Sequence, residues 1–228
     1  MRLSCLLLLA LAGHCLADEC DELPKPSVTV KRLDEKISYN TGYSYKALNN
    51  IGAALAQPGR QVLGLTRGNA TASFLSKTPS YMDRSGRWEC ASPQITLTFG
   101  FTPVTIYVAR EFPPGSCAYK EILDHEMRHL KTYQEHMVSI EKSLAETLTA
   151  RFVTDRPWRA PAGQIAPQLQ KELDERWLPY VQREIVKVES AQALIDTAEE
   201  YERVANACDG EIKKRLGEAS GAKKPPSK

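Results

Sequence analysis

Two halves of the chain differ in the period of their apolar residues. Over residues 28–111, short runs alternate apolar and polar positions with the two-residue period of half-buried strands. The apolar positions of these runs are Val28 and Val30, Ile37 and Tyr39, Val62, Leu63 and Leu65, Ile95, Leu97, Phe99 and Phe101, and Val104, Ile106 and Val108. Between them, residues 47–56 predict one short helix that Pro58-Gly59 ends. The first half therefore predicts a β-rich layer.

The second half has the 3.6-residue period of helices. Pro113-Pro114-Gly115 interrupts the strand pattern, and Ser116 is a usable N-cap. Residues 118–152 then carry one apolar stripe, formed by Leu123, Met127, Leu130, Met137, Leu144 and Leu148. After a Pro-rich connector, residues 168–216 show a second long helical pattern, which Pro179 can kink. Two long helices joined by a short connector normally pack as an antiparallel hairpin.

These patterns predict an α+β fold with a small antiparallel or mixed sheet, the first long helix packed against it, and a long C-terminal helical hairpin. Residues 1–17 have the features of a signal peptide, with Arg2, an apolar run and small residues before Asp18. A single domain is expected at 18–216, with a β-rich part at 18–115 and a helical part at 116–216. Residues 217–228 predict a disordered tail. No later apolar run is long enough to span a membrane.

Charge and cysteine content narrow the class of protein. The formal net charge of +2 falls to +1 without the predicted signal peptide, which leaves no electrostatic footprint for nucleic acid. The mature chain keeps Cys20, Cys90, Cys117 and Cys208, and this even number in an exported protein predicts two disulfides with three possible connectivities. We favour Cys90–Cys117 with Cys20–Cys208. Zinc ligation by cysteine is disfavoured because the chain has no C-x-x-C pair.

The chemistry is concentrated in the sequence His125-Glu126-Met127-Arg128-His129 on the first long helix. His125 and His129 are one turn apart, so both imidazoles project to the same side and can bind one zinc ion. Glu126 is rotated by about 100° from His125 towards the apolar stripe, so it lies beside the metal without ligating it. We therefore predict that both histidines bind Zn²⁺ and that Glu126 is the general base, taking a proton from a zinc-activated water molecule.

The motif leaves the third protein ligand open, with a water molecule in the remaining position. His136 returns to the same helix face, but on a straight helix it lies about 10 Å beyond His129. An acidic residue of the second helical half is the more ordinary solution. The candidates are Glu184, Glu189, Glu199, Glu200, Glu202 and Asp209.

This motif on a helix that follows a sheet resembles the zincin metallopeptidases, in which an edge strand lies along the substrate and the motif helix lies beneath it. The layout of residues 38–210 also resembles a poorly characterised family of secreted bacterial proteins predicted to be zinc-dependent proteases. The shared elements are Gly64-Leu65-Thr66, Trp88, Cys117, Leu123-Asp124-His125-Glu126-x-x-His129 and a helical tail. The resemblance implies a zincin-like domain with a carboxylate third ligand, as in the gluzincins. Thr132 and Glu135 stand where the metzincin pattern needs Gly and His.

Three functions follow from these observations. The leading hypothesis is a secreted or periplasmic zinc peptidase that hydrolyses peptide or protein substrates. A second is a zinc hydrolase that acts on a non-peptide amide of the cell envelope. A third is a non-catalytic envelope protein that binds a partner through its helical hairpin. The catalytic hypotheses require an acidic third ligand near the two histidines, whereas the binding hypothesis requires an exposed apolar stripe on the hairpin. The sequence defines neither the substrate nor the oligomeric state.

Overall fold

The computed structural model describes residues 19–34, 36–52 and 61–221, so the predicted signal peptide lies outside the described residues. The strands are β1 (Ser27–Arg32), β2 (Ile37–Asn40), β3 (Gly64–Lys77), β4 (Ser80–Met82), β5 (Trp88–Ala91), β6 (Gln94–Val108) and β7 (Trp158–Pro161). The α-helices are α1 (Tyr45–Ile51), α2 (Cys117–Phe152), α3 (Ile165–Glu172), α4 (Leu178–Val186), α5 (Val188–Ala193), α6 (Ala198–Asn206) and α7 (Glu211–Gly221). The predicted α+β class is confirmed.

The main sheet is built around β6. On one side, β1 and β2 pair with successive halves of β6 in parallel, and on the other side β3 runs antiparallel along nearly its whole length. Within the described residues β3 pairs with no strand except β6, so it forms an edge of this sheet. A smaller antiparallel sheet, in the order β4-β5-β7, lies apart from it. The mixed sheet agrees with the prediction.

Helix α2 packs its buried face against the sheet and carries the chemical motif. Ser116 caps it, because its side chain accepts a hydrogen bond from the Tyr119 backbone N–H at 3.1 Å. The buried positions of α2 are Ala118, Ile122, Glu126, His129, Leu130, Met137, Ile140, Leu144, Leu148 and Phe152. Met127, predicted to be on this stripe, is instead 37% exposed. The apolar pattern places Met127 on the buried face of the helix. The structure buries the neighbouring Glu126 instead, and a pattern of apolar residues does not count this polar residue.

The C-terminal half is helical but is not one long helix. A π-helical turn at Leu173–Trp177 joins α3 to α4, and Pro179 lies in the first turn of α4, where its missing N–H is tolerated. The chain then leaves the helical conformation at residues 194–197 before α6 begins. Helices α4 and α5 pack back on α2. Helix α7 continues to Gly221, so residues 217–221 of the predicted disordered tail are helical.

Several local predictions differ in detail. The short helix predicted over residues 47–56 begins earlier, at Tyr45, and its C-cap is Gly52, while residues 53–60 lie outside the description. The Pro-rich connector contains strand β7. Within the part of the chain that the structure describes, no helix combines the length and apolar character needed to cross a bilayer.

The predicted number of disulfides, two, is present, but the favoured pairing is wrong. Cys20 bonds to Cys90, and Cys117 bonds to Cys208. The first bond ties an N-terminal 3-10 turn to β5, and the second ties the start of α2 to the turn before α7. The pairing follows from how these distant segments dock, which the spacing of the cysteines does not encode.

Candidate metal centre

His125 and His129 converge as their spacing predicts. They lie one turn apart on α2, and their Nε2 atoms are 3.2 Å from each other. The helix turns both rings towards the cavity between α2, the edge of β3 and the C-terminal helices. Both imidazoles therefore offer the same nitrogen to one point.

Asp196 completes this group and is not among the residues that the sequence suggested. Its Oδ1 atom is 3.1 Å from Nε2 of His125 and 3.3 Å from Nε2 of His129. The residue lies in the break between α5 and α6. Burial tends to raise the pKa of Asp196, but the hydrogen bonds from both histidines outweigh it and hold that pKa well below its usual range. Asp196 is therefore the ionised carboxylate that the histidine pair needs.

The candidates proposed for the third ligand occupy other places. Glu200 contacts His125 through Nδ1, on the far side of the ring from Asp196. The Glu184 carboxylate binds Lys187, and the backbone carbonyl of Glu184 lies 2.8 Å from Nε2 of His136. Glu189 and Glu202 line the cavity, whereas Glu199 is exposed and Asp209 lies in the 3-10 turn after Cys208. In the described residues, only Asp196 joins the two histidines in a group that could hold a metal ion.

The three atoms fit a tetrahedral zinc ion. Two imidazole nitrogens and one carboxylate oxygen are a donor set of catalytic zinc sites, and ligand bonds of about 2.0–2.2 Å place tetrahedral ligands roughly 3.3–3.5 Å apart. The observed separations of 3.1–3.3 Å are close to that spacing. Three protein ligands leave the fourth position for water or substrate.

A second layer of side chains fixes the orientation of both histidines. Nδ1 of His125 lies 3.2 Å from Oε1 of Glu200, and Nδ1 of His129 lies 2.6 Å from Oε1 of Gln192. The side-chain amide of Gln192 also donates to the backbone carbonyl of His129 at 3.1 Å. If Nδ1–H donates to these acceptors, each Nε2 keeps its lone pair for a metal ion. Arg128 Nη2 also lies 3.0 Å from Nδ1 of His125.

Glu200 is itself held by two arginines. Arg203 donates to it at 2.9 and 3.0 Å, Arg128 also contacts it, and Arg203 further bridges to Glu121 at 2.8 Å. The hydrogen bonds from Arg203, followed by those from Arg128, lower the pKa of Glu200 to about 2. Glu200 therefore presents an ionised carboxylate beside Nδ1 of His125.

Glu126 lies beside the group of His125, His129 and Asp196 and is not part of it. Its side chain is 3% exposed, and burial raises its pKa. Thr66 Oγ1 is 2.9 Å from Oε2 of Glu126 and 2.9 Å from its backbone carbonyl. At Gly64, an added Cβ would lie 2.5 Å from Oε1 of Glu126. The Glu126 carboxylate therefore packs against strand β3. The space that it occupies is open because residue 64 is a glycine.

The free edge of β3 borders this cavity. The Leu63 carbonyl accepts from the Ala109 N–H at 2.8 Å, so in this antiparallel pairing residues 63, 65 and 67 direct their backbone groups to β6. Gly64, Thr66 and Gly68 therefore direct theirs away from β6, and the Gly68 backbone already hydrogen-bonds the Tyr133 side chain. The cavity has a volume of about 560 Å³ and includes the metal-binding group.

Sequence reasoning missed Asp196 because residues 168–216 were taken as one continuous pattern. The sequence does contain a signal for the break, since Thr197-x-x-Glu200 is a capping box. In the structure Thr197 caps α6 and accepts from the Glu200 N–H at 3.1 Å, which leaves Asp196 in the preceding turn. No family model, curated protein or solved structure matches the chain.

Proposed function

We propose that the protein is a zinc-dependent peptidase that acts outside the cytoplasm. The observation that carries the proposal is the convergence of His125, His129 and Asp196 within 3.3 Å, with the buried Glu126 beside them. The catalytic hypotheses required an acidic third ligand at this point.

The residues divide into ligands and a proton carrier. His125, His129 and Asp196 would hold Zn²⁺, which when bound supplies a Lewis acid that polarises a carbonyl and acidifies water. Glu126 takes the proton of the attacking water and passes it to the leaving amine. Its Oε2 atom is engaged by Thr66, so Oε1 is the oxygen available for the proton. Glu200 and Gln192 keep the imidazoles oriented throughout.

The open edge of β3 supports a polypeptide substrate over a compact non-peptide amide. An extended peptide can add to the backbone groups of Gly64 and Thr66 as a further strand. These groups lie in the wall of the same cavity as Glu126 and the metal ligands. Main-chain pairing would therefore bring a peptide bond past the metal centre.

The compartment follows from the cysteines and the N-terminus. Two disulfides are typical of proteins that fold in an oxidising environment. Residues 1–17 carry the predicted signal for export. Secretion or delivery to a periplasm is therefore part of the proposed function.

Elemental analysis of the purified mature protein, together with a Glu126→Gln variant, tests the proposal. We expect one zinc per chain in both proteins and a loss of peptide hydrolysis of at least about 10²-fold in the variant, because Gln keeps the shape but cannot accept the proton. Glu135→Gln is the matched control, since Glu135 is an exposed acid on the same helix. A wild-type protein without zinc, or a Glu126→Gln variant with full activity, would refute the mechanism. Wild-type protein that holds zinc but cleaves no peptide in a library digest would refute the peptidase assignment.

A further inference from the structure

We infer that the Cys117–Cys208 disulfide is a thiol-exchange site, at which an external dithiol reversibly reduces the bond and thereby loosens helix α7 beside the metal-centre cavity. The reagent is defined by its chemistry, which is two neighbouring thiols. The Cys20–Cys90 disulfide is the contrasting bond, with a structural role only. The inference uses neither zinc nor hydrolysis, so it goes beyond the proposed function and does not depend on it.

The two disulfides differ in how far solvent reaches them. Cys20 is 1% exposed and Cys90 is 0% exposed, so the native fold shields both of their sulfur atoms. Cys117 is instead an exposed residue at the start of α2, and Cys208 is half-buried in the turn before α7. Thiol–disulfide exchange requires that a thiolate reaches one sulfur atom directly. Access therefore selects Cys117–Cys208 as the bond that an external thiol attacks.

The backbone at Cys208 also favours opening of this bond. Cys208 and Asp209 have φ angles of 59° and 52°, and Gly210 follows at 79°. In the part of the chain that the structure describes, no other residue with a side chain has a positive φ angle. Non-glycine residues in this left-handed region are strained, and reduction lets Cys208 and Asp209 leave it. Exposed or strained disulfides are the ones that thiols reduce most readily.

The exchange consists of two balanced steps. A thiolate of the dithiol attacks Sγ of Cys117, the disulfide bond breaks, and its electron pair leaves on Sγ of Cys208. The second thiolate of the reagent then attacks its own sulfur in the mixed disulfide and displaces the Cys117 thiolate. The reagent becomes a cyclic disulfide and has supplied two electrons, and the two protons of its thiols end on Cys117 and Cys208. An oxidising disulfide reverses both steps.

The groups around the two sulfur atoms permit a thiolate there. Cys117 is the first residue of α2, and the positive end of a helix dipole stabilises a thiolate. A carboxylate oxygen of Glu211 lies within 4.8 Å of both sulfur atoms and would repel a thiolate. The carboxylate accepts from the Ala118 N–H at 3.2 Å and from Nε of Arg215 at 2.7 Å. These two partners offset its negative charge.

The bond lies between helices that form part of the cavity wall. Helix α6 ends before Cys208 and α7 begins after it, and both helices contribute lining residues, namely Tyr201, Glu202, Val204, Ala205, Ile212, Lys213 and Leu216. After reduction, the remaining ties of α7 to α2 include the hydrogen bond from Ala118 to Glu211 and the apolar packing of Ile212. Reduction should therefore increase the motion of α7 without unfolding the sheet.

Reduction of the native, disulfide-bonded mature protein tests the inference, and each disulfide is the control for the other. The protein is titrated with dithiothreitol, free thiols are trapped with iodoacetamide, and alkylated cysteines are identified by peptide mass spectrometry. We expect half-reduction of Cys117–Cys208 at a dithiothreitol concentration at least about 10-fold lower than that for Cys20–Cys90. In denaturant this difference should disappear, because the fold no longer shields one pair. Equal reduction of both pairs in the native protein, or a difference that persists in denaturant, would overturn the inference.

Hydrogen exchange in zinc-free protein measures the effect on α7. Exchange is compared before reduction, after selective reduction of Cys117–Cys208, and after reoxidation with oxidised glutathione. We expect exchange over residues 211–221 to become at least about 3-fold faster on reduction and to return on reoxidation, while the paired backbone of β1 and β6 does not change. In Cys117→Ser/Cys208→Ser, exchange of α7 should be fast from the start and should not respond to dithiothreitol. Wild-type α7 that exchanges at the same rate in the reduced and oxidised protein would overturn the inference.

Discussion

Asp196 illustrates how much of the site depends on one side chain. It contributes the negative charge of the three-atom group, and it comes from a turn, whereas both histidines come from one helix. Its contacts with His125 at 3.1 Å and His129 at 3.3 Å help to join the C-terminal helices to the motif. The loss of this charge should therefore affect metal binding more than the loss of any outer partner.

We expect Asp196→Asn to weaken zinc binding by more than the about 10–100-fold that removal of an outer-sphere partner costs. The amide has the shape of the carboxylate but is neutral. Competition with a chromophoric chelator measures the change. Glu199→Gln is the control, because Glu199 is an exposed acid close to Asp196 in sequence and makes no contact with the histidines. Wild-type affinity in Asp196→Asn would exclude Asp196 as a ligand.

Gly64 has a different role at the same scale, because it makes room for the Glu126 side chain. An added Cβ would lie 2.5 Å from Oε1 and 2.7 Å from Cγ of Glu126. We expect Gly64→Ala to displace the carboxylate and reduce hydrolysis by at least about 10²-fold while zinc content stays at one per chain. Gly217→Ala, where an added Cβ meets open space, is the control. Unchanged turnover in Gly64→Ala would show that hydrolysis does not depend on this position of the Glu126 carboxylate.

At the scale of elements, the period of the apolar residues predicts those helices and strands in which the same face stays buried from end to end. Strand β6 alternates cleanly because one of its faces packs on α2, and α2 begins where the Ser116 cap indicates. The convergence of the two histidine side chains could be predicted because i, i+4 geometry is local. The break at residues 194–197 was missed because apolar residues continue on both sides of it. The disulfide pairing was wrong because it depends on how the elements dock.

The Cys117–Cys208 disulfide connects two elements that border the site. It anchors the turn before α7 to the first residue of α2, and Glu211 of α7 also accepts from the Ala118 N–H at 3.2 Å. Its loop spans 91 residues, so its removal should lower the free energy of unfolding by about 4–5 kcal/mol in a chain-entropy treatment. Thermal unfolding of Cys117→Ser/Cys208→Ser measures this loss.

Removal of the other disulfide is the control, because it shows whether the effect depends on where the bond lies in the fold. Cys20–Cys90 closes a loop of 70 residues, which gives a similar entropic contribution of about 4 kcal/mol, but it lies on β5. Under conditions in which both double variants stay folded, hydrogen exchange in α7 should increase only when Cys117–Cys208 is removed. Equal exchange of α7 in the two variants would contradict a local role for this disulfide.

On the scale of the whole molecule, the proposed metal centre joins parts that are distant in the chain. The motif helix would supply two ligands and the turn between α5 and α6 the third, while Thr66 of β3 hydrogen-bonds Glu126. Gln192 on α5 and Glu200 on α6 bind the outer nitrogens of the histidines. An ion bound to three of these groups would therefore hold the C-terminal helices against α2.

Zinc should therefore stabilise the folded chain, and mainly this junction. A ligand present at 100 times its dissociation constant stabilises by about 2.7 kcal/mol if the unfolded chain does not bind it. We expect a higher melting temperature with zinc than with a chelator, and slower hydrogen exchange over residues 188–206. The paired backbone of β1 and β6 lies away from the ligands and should exchange at the same rate in both states.

In Asp196→Asn the difference in melting temperature should shrink, because the third ligand is lost. A zinc-dependent shift that is equally large in Asp196→Asn would mean that the ion binds elsewhere on the chain.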